Sequence, residues 1–234
     1  MLEGFFDLNM VRILVSIAML GLASLIDLKK REINDKLWIG FSGVAVLLLF
    51  VSPNFWLALK TMCLSMIVTP IALVLWRFGI FGGADALCLI VLAGLAPMSS
   101  VTQSQISPFT TLENAAILTV VPLFINLGRN VVSMIRGNDI FNGIEEESNL
   151  KKTLAMFVGY RTKNPKHSFC MEQMLDGKRY LDFSPKHAEK TSFCYDSDVW
   201  VTPGLPYVLY ITGGFIIQIM YGDLIFRLIH TLGF

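Results

Sequence analysis

The stretch "MVRILVSIAMLGLASLIDLKKREINDK", residues 10–36, decides how the whole chain is read. Its apolar core runs from Met10 to Ile26 and gives way at once to Asp27 and a basic loop with Lys29, Lys30, Arg31 and Lys36. About 20 mostly apolar residues are enough to cross a bilayer as a helix. No small-x-small cleavage site follows the core, so the run reads as a retained span and not as a signal peptide. Similar runs recur along the 234 residues, of which 54% are hydrophobic and only 16% charged. A soluble domain carries about 25% charged residues. Six spans are expected, at 10–28, 37–52, 55–76, 83–101, 112–134 and 204–228. The fold class expected is therefore a membrane all-α protein with six transmembrane helices and a small cytosolic α+β or β-rich insert between helices five and six. In domain terms, helices one to five occupy 1–136, the insert 137–201 and helix six 202–234.

The second span is short and needs tilt or local thinning of the bilayer. The third contains Lys60, near enough to an end to snorkel, and Pro70, which should kink it. Lys and Arg mark cytoplasmic loops. They occur in the loop after span one, at Arg77 before span four, and in the insert from Arg136 to Lys151 and Lys152, whereas "SPNF" and "MSSVTQSQISPFTT" carry none. A multi-pass protein of the cell membrane is expected, with the basic loops and the insert in the cytoplasm and both termini outside. Within the insert, Asp176-Gly177 between two runs containing apolar residues is a hairpin signal. The acidic triplet Glu145, Glu146 and Glu147 reads as a solvated face, with contact to a basic segment as the alternative. Cys63, Cys88, Cys170 and Cys194 have no CxxC spacing and read as thiols, not as a disulfide or a zinc site. A net charge of +1 and the lack of any nucleic-acid motif argue for no nucleic-acid partner.

Ionisable groups that border a membrane span are costly and usually functional, which singles out Asp27, Asp85, Glu113 and Asp223. Span one descends to the cytoplasm and ends at Asp27; span four rises from it and begins at Asp85, behind Gly82, Gly83 and Ala84. The two aspartates therefore share a depth. Asp223 follows the cytoplasmic entry of span six by about 20 residues, or roughly 30 Å of helix, and falls near the far leaflet. Glu113 opens span five and reads as an N-terminal charge favoured by the helix dipole. Taken alone, Asp85 reads as a helix cap and Asp27 as a surface charge beside Lys30 and Arg31. As a pair they have a chemical use, because two facing carboxylates do not both ionise easily. One then holds a proton while the other activates water. Gly82 and Gly83, which lack side chains, and the small Ala84 leave room for a substrate backbone to approach.

"FGGADAL" together with Asp27 resembles the GxGD membrane aspartyl proteases, and within them the archaeal preflagellin peptidases, relatives of the type IV prepilin peptidases. In that family one catalytic aspartate closes the first span and the other belongs to the motif; the matching positions are Asp27 and Asp85. "DLKKREINDKL" is similar to the family pattern of Asp, basic loop, Ile-Pro-Asn/Asp and Leu through Ile33, Asp35 and Leu37, with Asn34 where the proline would stand. "VWVTPGLPYVL" resembles the stretch before the last span in the archaeal branch. The chain departs from the strict motif at Ala84, where glycine would be needed for any left-handed turn. The paired-cysteine region of many bacterial prepilin peptidases is missing, so their N-methyltransferase activity is not expected.

The resemblance implies an aspartic endopeptidase, working without metal or cofactor, that removes the short basic class III leader of preflagellin or related pilin-like precursors on the cytoplasmic side. Its implied partners are those precursors and membrane lipid, with Glu145, Glu146 and Glu147 as candidate contacts for the leader. Two other readings compete: an ion-coupled small transporter, and a non-enzymatic assembly subunit of a pilus or flagellum system whose aspartates merely cap helices.

Overall fold

The computed structural model describes residues 8–97, 107–175, 177–184 and 191–231. In chain order the helices are α1 (Leu8–Lys30), α2 (Asp35–Phe50), α3 (Phe55–Ser65), α4 (Val68–Arg77), α5 (Gly83–Leu95), α6 (Ser107–Leu118), α7 (Val120–Ile135), α8 (Asn149–Val158), α9 (Tyr207–Tyr221) and α10 (Leu224–Thr231). The strands are β1 (Tyr160–Thr162), β2 (Ser168–Cys170), β3 (Glu172–Leu175), β4 (Lys178–Leu181) and β5 (Val199–Pro203). Two compact units result: residues up to 118 together with those from 206 onward, and residues 119–205.

Local signals account for most helix ends in the first unit. Lys29 and Lys30 fill the last turn of α1, where cations oppose the negative end of the helix dipole. Asn34 caps α2 by accepting Lys36 N–H at 3.0 Å, and Asn54 caps α3 by accepting Leu57 N–H at 3.0 Å. The kink expected from Pro70 separates α3 from α4 at Met66 and Ile67. Proline has no N–H to offer the Met66 carbonyl, which accepts Thr69 N–H at 2.9 Å instead. α5 stops at Leu95, short of the expected 101, because Pro97 disfavours helical backbone at the residue before it.

Among the described residues, three helical stretches are long and apolar enough to cross a membrane: Leu8–Lys30, Phe55–Arg77 and Pro108–Ile135. Large apolar side chains along them face outward, including Leu14, Trp56, Phe124 and Ile135. The other expected spans are shorter as helices. α2, α5 and α9 have 16, 13 and 15 residues, or about 20–24 Å of helix against a hydrocarbon core of about 30 Å. The last expected span is broken. Gly222 takes a left-handed φ of 80°, and Asp223 starts α10 by accepting Phe226 N–H at 3.0 Å. The expectation for Glu113 also changes: α6 begins at Ser107, so Glu113 lies inside the helix and not in its first turn. Its carboxyl is a hydrogen-bonding neighbour of Asp223.

The core of this unit gathers Met19, Leu20 and Ala23 of α1, Trp38 and Ala45 of α2, Leu89 and Leu92 of α5, and Ile211 and Phe215 of α9. α5 is the most enclosed helix, with 8 of its 13 residues buried. Small residues let α6 and α9 approach closely, as in membrane helix pairs. A Cβ at Gly214 would lie 2.5 Å from Thr111 O and 2.7 Å from Ala115 N. Asn114 secures the break in the last helix by donating to Gly222 O at 3.0 Å and accepting Leu224 N–H at 3.2 Å.

Hydropathy treats Arg12 only as a cost to the first span, yet the structure gives it a purpose. The side chain is buried and donates to Leu95 O and Leu48 O, both at 3.0 Å, and to Ser52 Oγ at 3.2 Å. Those carbonyls belong to the C-terminal turns of α5 and α2, the ends that favour a cation.

The second unit is α+β. β5 is the central strand of an antiparallel sheet of order β1-β5-β2, and β3 pairs with β4 as a separate antiparallel hairpin. The hairpin joins Leu175 to Lys178 in register, and Gly177 has a left-handed φ of 80°. Asp176, the other half of the expected turn signal, lies outside the described residues. Trp200 of β5 is fully buried, stacks on Phe141 at 5.6 Å and donates its indole N–H to Ile140 O at 2.8 Å. From α7, Asn126 donates to Phe157 O at 3.1 Å, while Asn130 donates to Met156 O at 2.9 Å and to Gly159 O at 2.8 Å. These bonds satisfy carbonyls left open at the end of α8.

Candidate active site

Asp27 sits in the last turn of α1, which Arg31 closes in a left-handed conformation (φ 57°) while donating its N–H to Asp27 O at 3.0 Å. Asp85 is the third residue of α5, and its Oδ2 accepts the N–H of Gly82, the N-cap, at 2.8 Å. This is the reciprocal half of a capping box. It also explains the glycine, because a Cβ at residue 82 would stand 3.2 Å from Asp85 Oδ2. The departure at Ala84 has no conformational penalty. Ala84 lies inside α5, and neither it, Gly82 nor Gly83 has a positive φ. The left-handed turn in this stretch belongs to Gly79, φ 74°, at the end of α4.

The two aspartates are neighbours across α1 and α5. α1 packs against α5, both carboxyl groups are half-buried, and the charge of Asp27 acts on Asp85. Both also act on Cys88, one turn along α5 and fully buried. The backbone amide of Val208, in the first turn of α9, also lies near the Asp85 carboxyl group. The starts of α5 and α9 thus both lie beside this one carboxyl group.

Several residues around the pair escaped the sequence reading. The Tyr207 ring packs on buried Phe81 at 4.6 Å between centroids and lies 6.2 Å from Tyr210, and its phenol is within electrostatic reach of Asp85. Ser24, three residues before Asp27 and so on its helix face, exchanges a 2.7 Å hydrogen bond with Thr212. Thr212 also donates to Leu20 O at 3.3 Å and Val208 O at 2.8 Å. These contacts pin α1 to α9 beside the carboxylates. The one sequence signal for this wall was "PGLPY", which ends β5 and starts α9; nothing marked Ser24.

The acidic triplet is engaged within the second unit. Glu145 accepts Gly143 N–H at 2.8 Å, and that bond holds its carboxyl below the usual range. Glu146 pairs with Lys178 at 2.7 Å and pushes the lysine upward. Glu147 is buried, pairs with Lys151 at 3.1 Å and accepts Leu181 N–H at 2.7 Å. A solvated face therefore describes Glu145 and Glu146 but not Glu147, whose carboxylate fastens β4 to the start of α8.

Comparison with known proteins gives two family matches. Residues 14–124 match the type IV leader peptidase family, and residues 151–224 match the archaeal peptidase A24 C-terminus, type II. Similar proteins include a preflagellin peptidase of Methanocaldococcus jannaschii, 22% identical over 92% of this chain and 95% of the relative. Preflagellin peptidases of Methanococcus voltae and Methanococcus maripaludis are 26% and 24% identical, each over 92% of this chain and 97% and 96% of the relative.

Proposed function

Because this chain belongs to the type IV leader peptidase family, we propose that it is an aspartyl endopeptidase that removes the short basic leader of preflagellin or related pilin-like precursors. Asp27 and Asp85 form its catalytic pair. The observation that carries this reading is the meeting of the two carboxylates at the end of α1 and the start of α5, among the residues that match the leader peptidase family.

One carboxylate takes a proton from the attacking water while the protonated partner polarises the scissile carbonyl. The pair titrates as a unit, so the roles belong to the pair and not to a fixed residue. The amide of Gly82 orients Asp85, and the glycine surface beside it leaves space for an extended substrate backbone. Six passes through the membrane, with the basic loops and this site on the cytoplasmic side and both termini outside, fit the distribution of Lys and Arg. Under this topology the leader reaches the pair without crossing the bilayer.

The test is cleavage of a purified precursor by the purified full-length protein. Asp27→Asn and Asp85→Asn should each abolish cleavage while expression and melting temperature stay near the parent. Asp85→Ser retains a capping side chain and should also be inactive. Cleavage at the parent rate by Asp85→Ser would reduce Asp85 to a helix cap.

A further inference from the structure

The second unit holds a side-chain cluster that leader cleavage does not use. Cys170 lies in β2, whereas Cys194 and Asp196 lie on the segment before β5. That segment is fastened beside β2, because Cys194 N–H donates to Ser168 O at 2.7 Å. Cys194 and Asp196, two residues apart, bring a sulfur and a carboxylate oxygen close together. β2 brings the third group to them: the two sulfurs and a carboxylate oxygen all lie within 4.8 Å of one another.

The surroundings make this a built cluster. Val199, Val201 and Tyr160 form an apolar wall behind the sulfurs, while Asp196 is exposed and opens the cluster to solvent. The turn that follows is braced at Asp198, φ 60°, whose carboxylate accepts two hydrogen bonds from Arg161 at 2.9 and 2.8 Å.

We propose that Cys170, Cys194 and Asp196 form a structural site for a thiophilic divalent cation of the Zn2+ type, with water as the fourth ligand. Two soft sulfur donors and one carboxylate match that class, whereas Mg2+ and Ca2+ demand oxygen ligands throughout. Metal–sulfur bonds of about 2.3 Å in a tetrahedron set the donors about 3.7 Å apart. Side-chain rotation closes the remaining distance of about 1 Å from the observed limit. Binding releases the two thiol protons to solvent and leaves two thiolates and a carboxylate on the cation. It also displaces the contact in which the Cys170 thiol donates to Glu172 O at 3.6 Å. The metal would tie β2 to the segment preceding β5 and so brace this sheet.

Co2+ is the probe. Titration of the reduced, full-length protein in detergent should produce a thiolate-to-metal charge-transfer absorption that saturates at one equivalent and is bleached by Zn2+. Cys170→Ser and Cys194→Ser should lose the band. Asp196→Asn, a change at an exposed position, should fold normally and weaken binding by about 10- to 100-fold, the scale of losses seen even for outer-shell partners. Zn2+ should also protect Cys170 and Cys194 from maleimide, read against the same protein without metal. Absence of the band, its survival in both cysteine variants, or a Cys170–Cys194 disulfide in protein isolated with thiols blocked would each overturn the proposal.

Discussion

Gly82→Ala is the sharpest perturbation of the proposed site, because it leaves both carboxylates and the fold in place. The backbone of Gly82 has φ −74° and ψ 161°, which alanine adopts without strain. What changes is one methyl group, whose carbon would stand 3.2 Å from Asp85 Oδ2. Comfortable contact begins near 3.5 Å, so the carboxylate must retreat by a few tenths of an ångström. That same oxygen accepts the Gly82 N–H at 2.8 Å, and retreat loosens the bond. A hydrogen bond to a charged group is worth about 1.5–3 kcal/mol, so losing it wholly from the reacting geometry would slow the chemistry roughly 10- to 150-fold. Loosening without full loss places the expected fall in kcat at about tenfold. Alanine is also a poorer N-cap than glycine, at a cost on the order of 1 kcal/mol in stability, too little to unfold the unit. The assay is leader cleavage by purified full-length protein over a range of precursor concentrations, with a melting curve alongside. KM should change far less than kcat, as expected when orientation for the chemical step is lost and binding is kept. A kcat within about twofold of the parent would refute the claim that Gly82 positions Asp85.

Other outcomes follow from the same packing. Arg12→Met removes the cation shared by the last turns of α2 and α5 and should lower stability by about 3 kcal/mol, read as a fall in melting temperature in detergent; an unchanged melt would deny the arginine its role. Gly214→Ala drives a methyl group into the α6 backbone and should cost about 1–3 kcal/mol, whereas Gly21→Ala meets nothing within 4 Å and should be neutral or slightly stabilising. Equal melting temperatures for the two variants would contradict the close helix crossing. In the second unit, Arg161 holds the Asp198 carboxyl below its ordinary value through their hydrogen bonds. A lowered folded pKa stabilises above the unfolded value of about 4 and is lost as pH falls through the folded one. Melting temperature should therefore drop more steeply below about pH 4 in the parent than in Asp198→Asn, by a small amount because Asp198 is exposed to solvent.

Much of this protein was legible along the chain because the relevant physics is local. Apolar run length announced the helices at Leu8–Lys30 and Phe55–Arg77, since burying a helical backbone in lipid demands uninterrupted apolar side chains. Pro70 announced a kink by lacking an N–H. The alternation of basic residues along the loops is likewise local, and the common depth proposed for Asp27 and Asp85 rests on it.

What depended on distant partners stayed hidden. Arg12 is a charge inside an apolar run, and its role depends on α2 and α5 bringing their carbonyls to it, from 36 and 83 residues away in sequence. The break at Gly222 and Asp223 is held in part by Asn114 of α6, so no window of local sequence could locate it. The aspartate of "FGGADAL" shows the division most clearly. Sequence alone made Asp85 a cap with an expected partner. Tertiary structure added the Val208 amide, the Tyr207 ring and the Asp27 charge, because only packing α1, α5 and α9 together converts residues separated along the chain into one site.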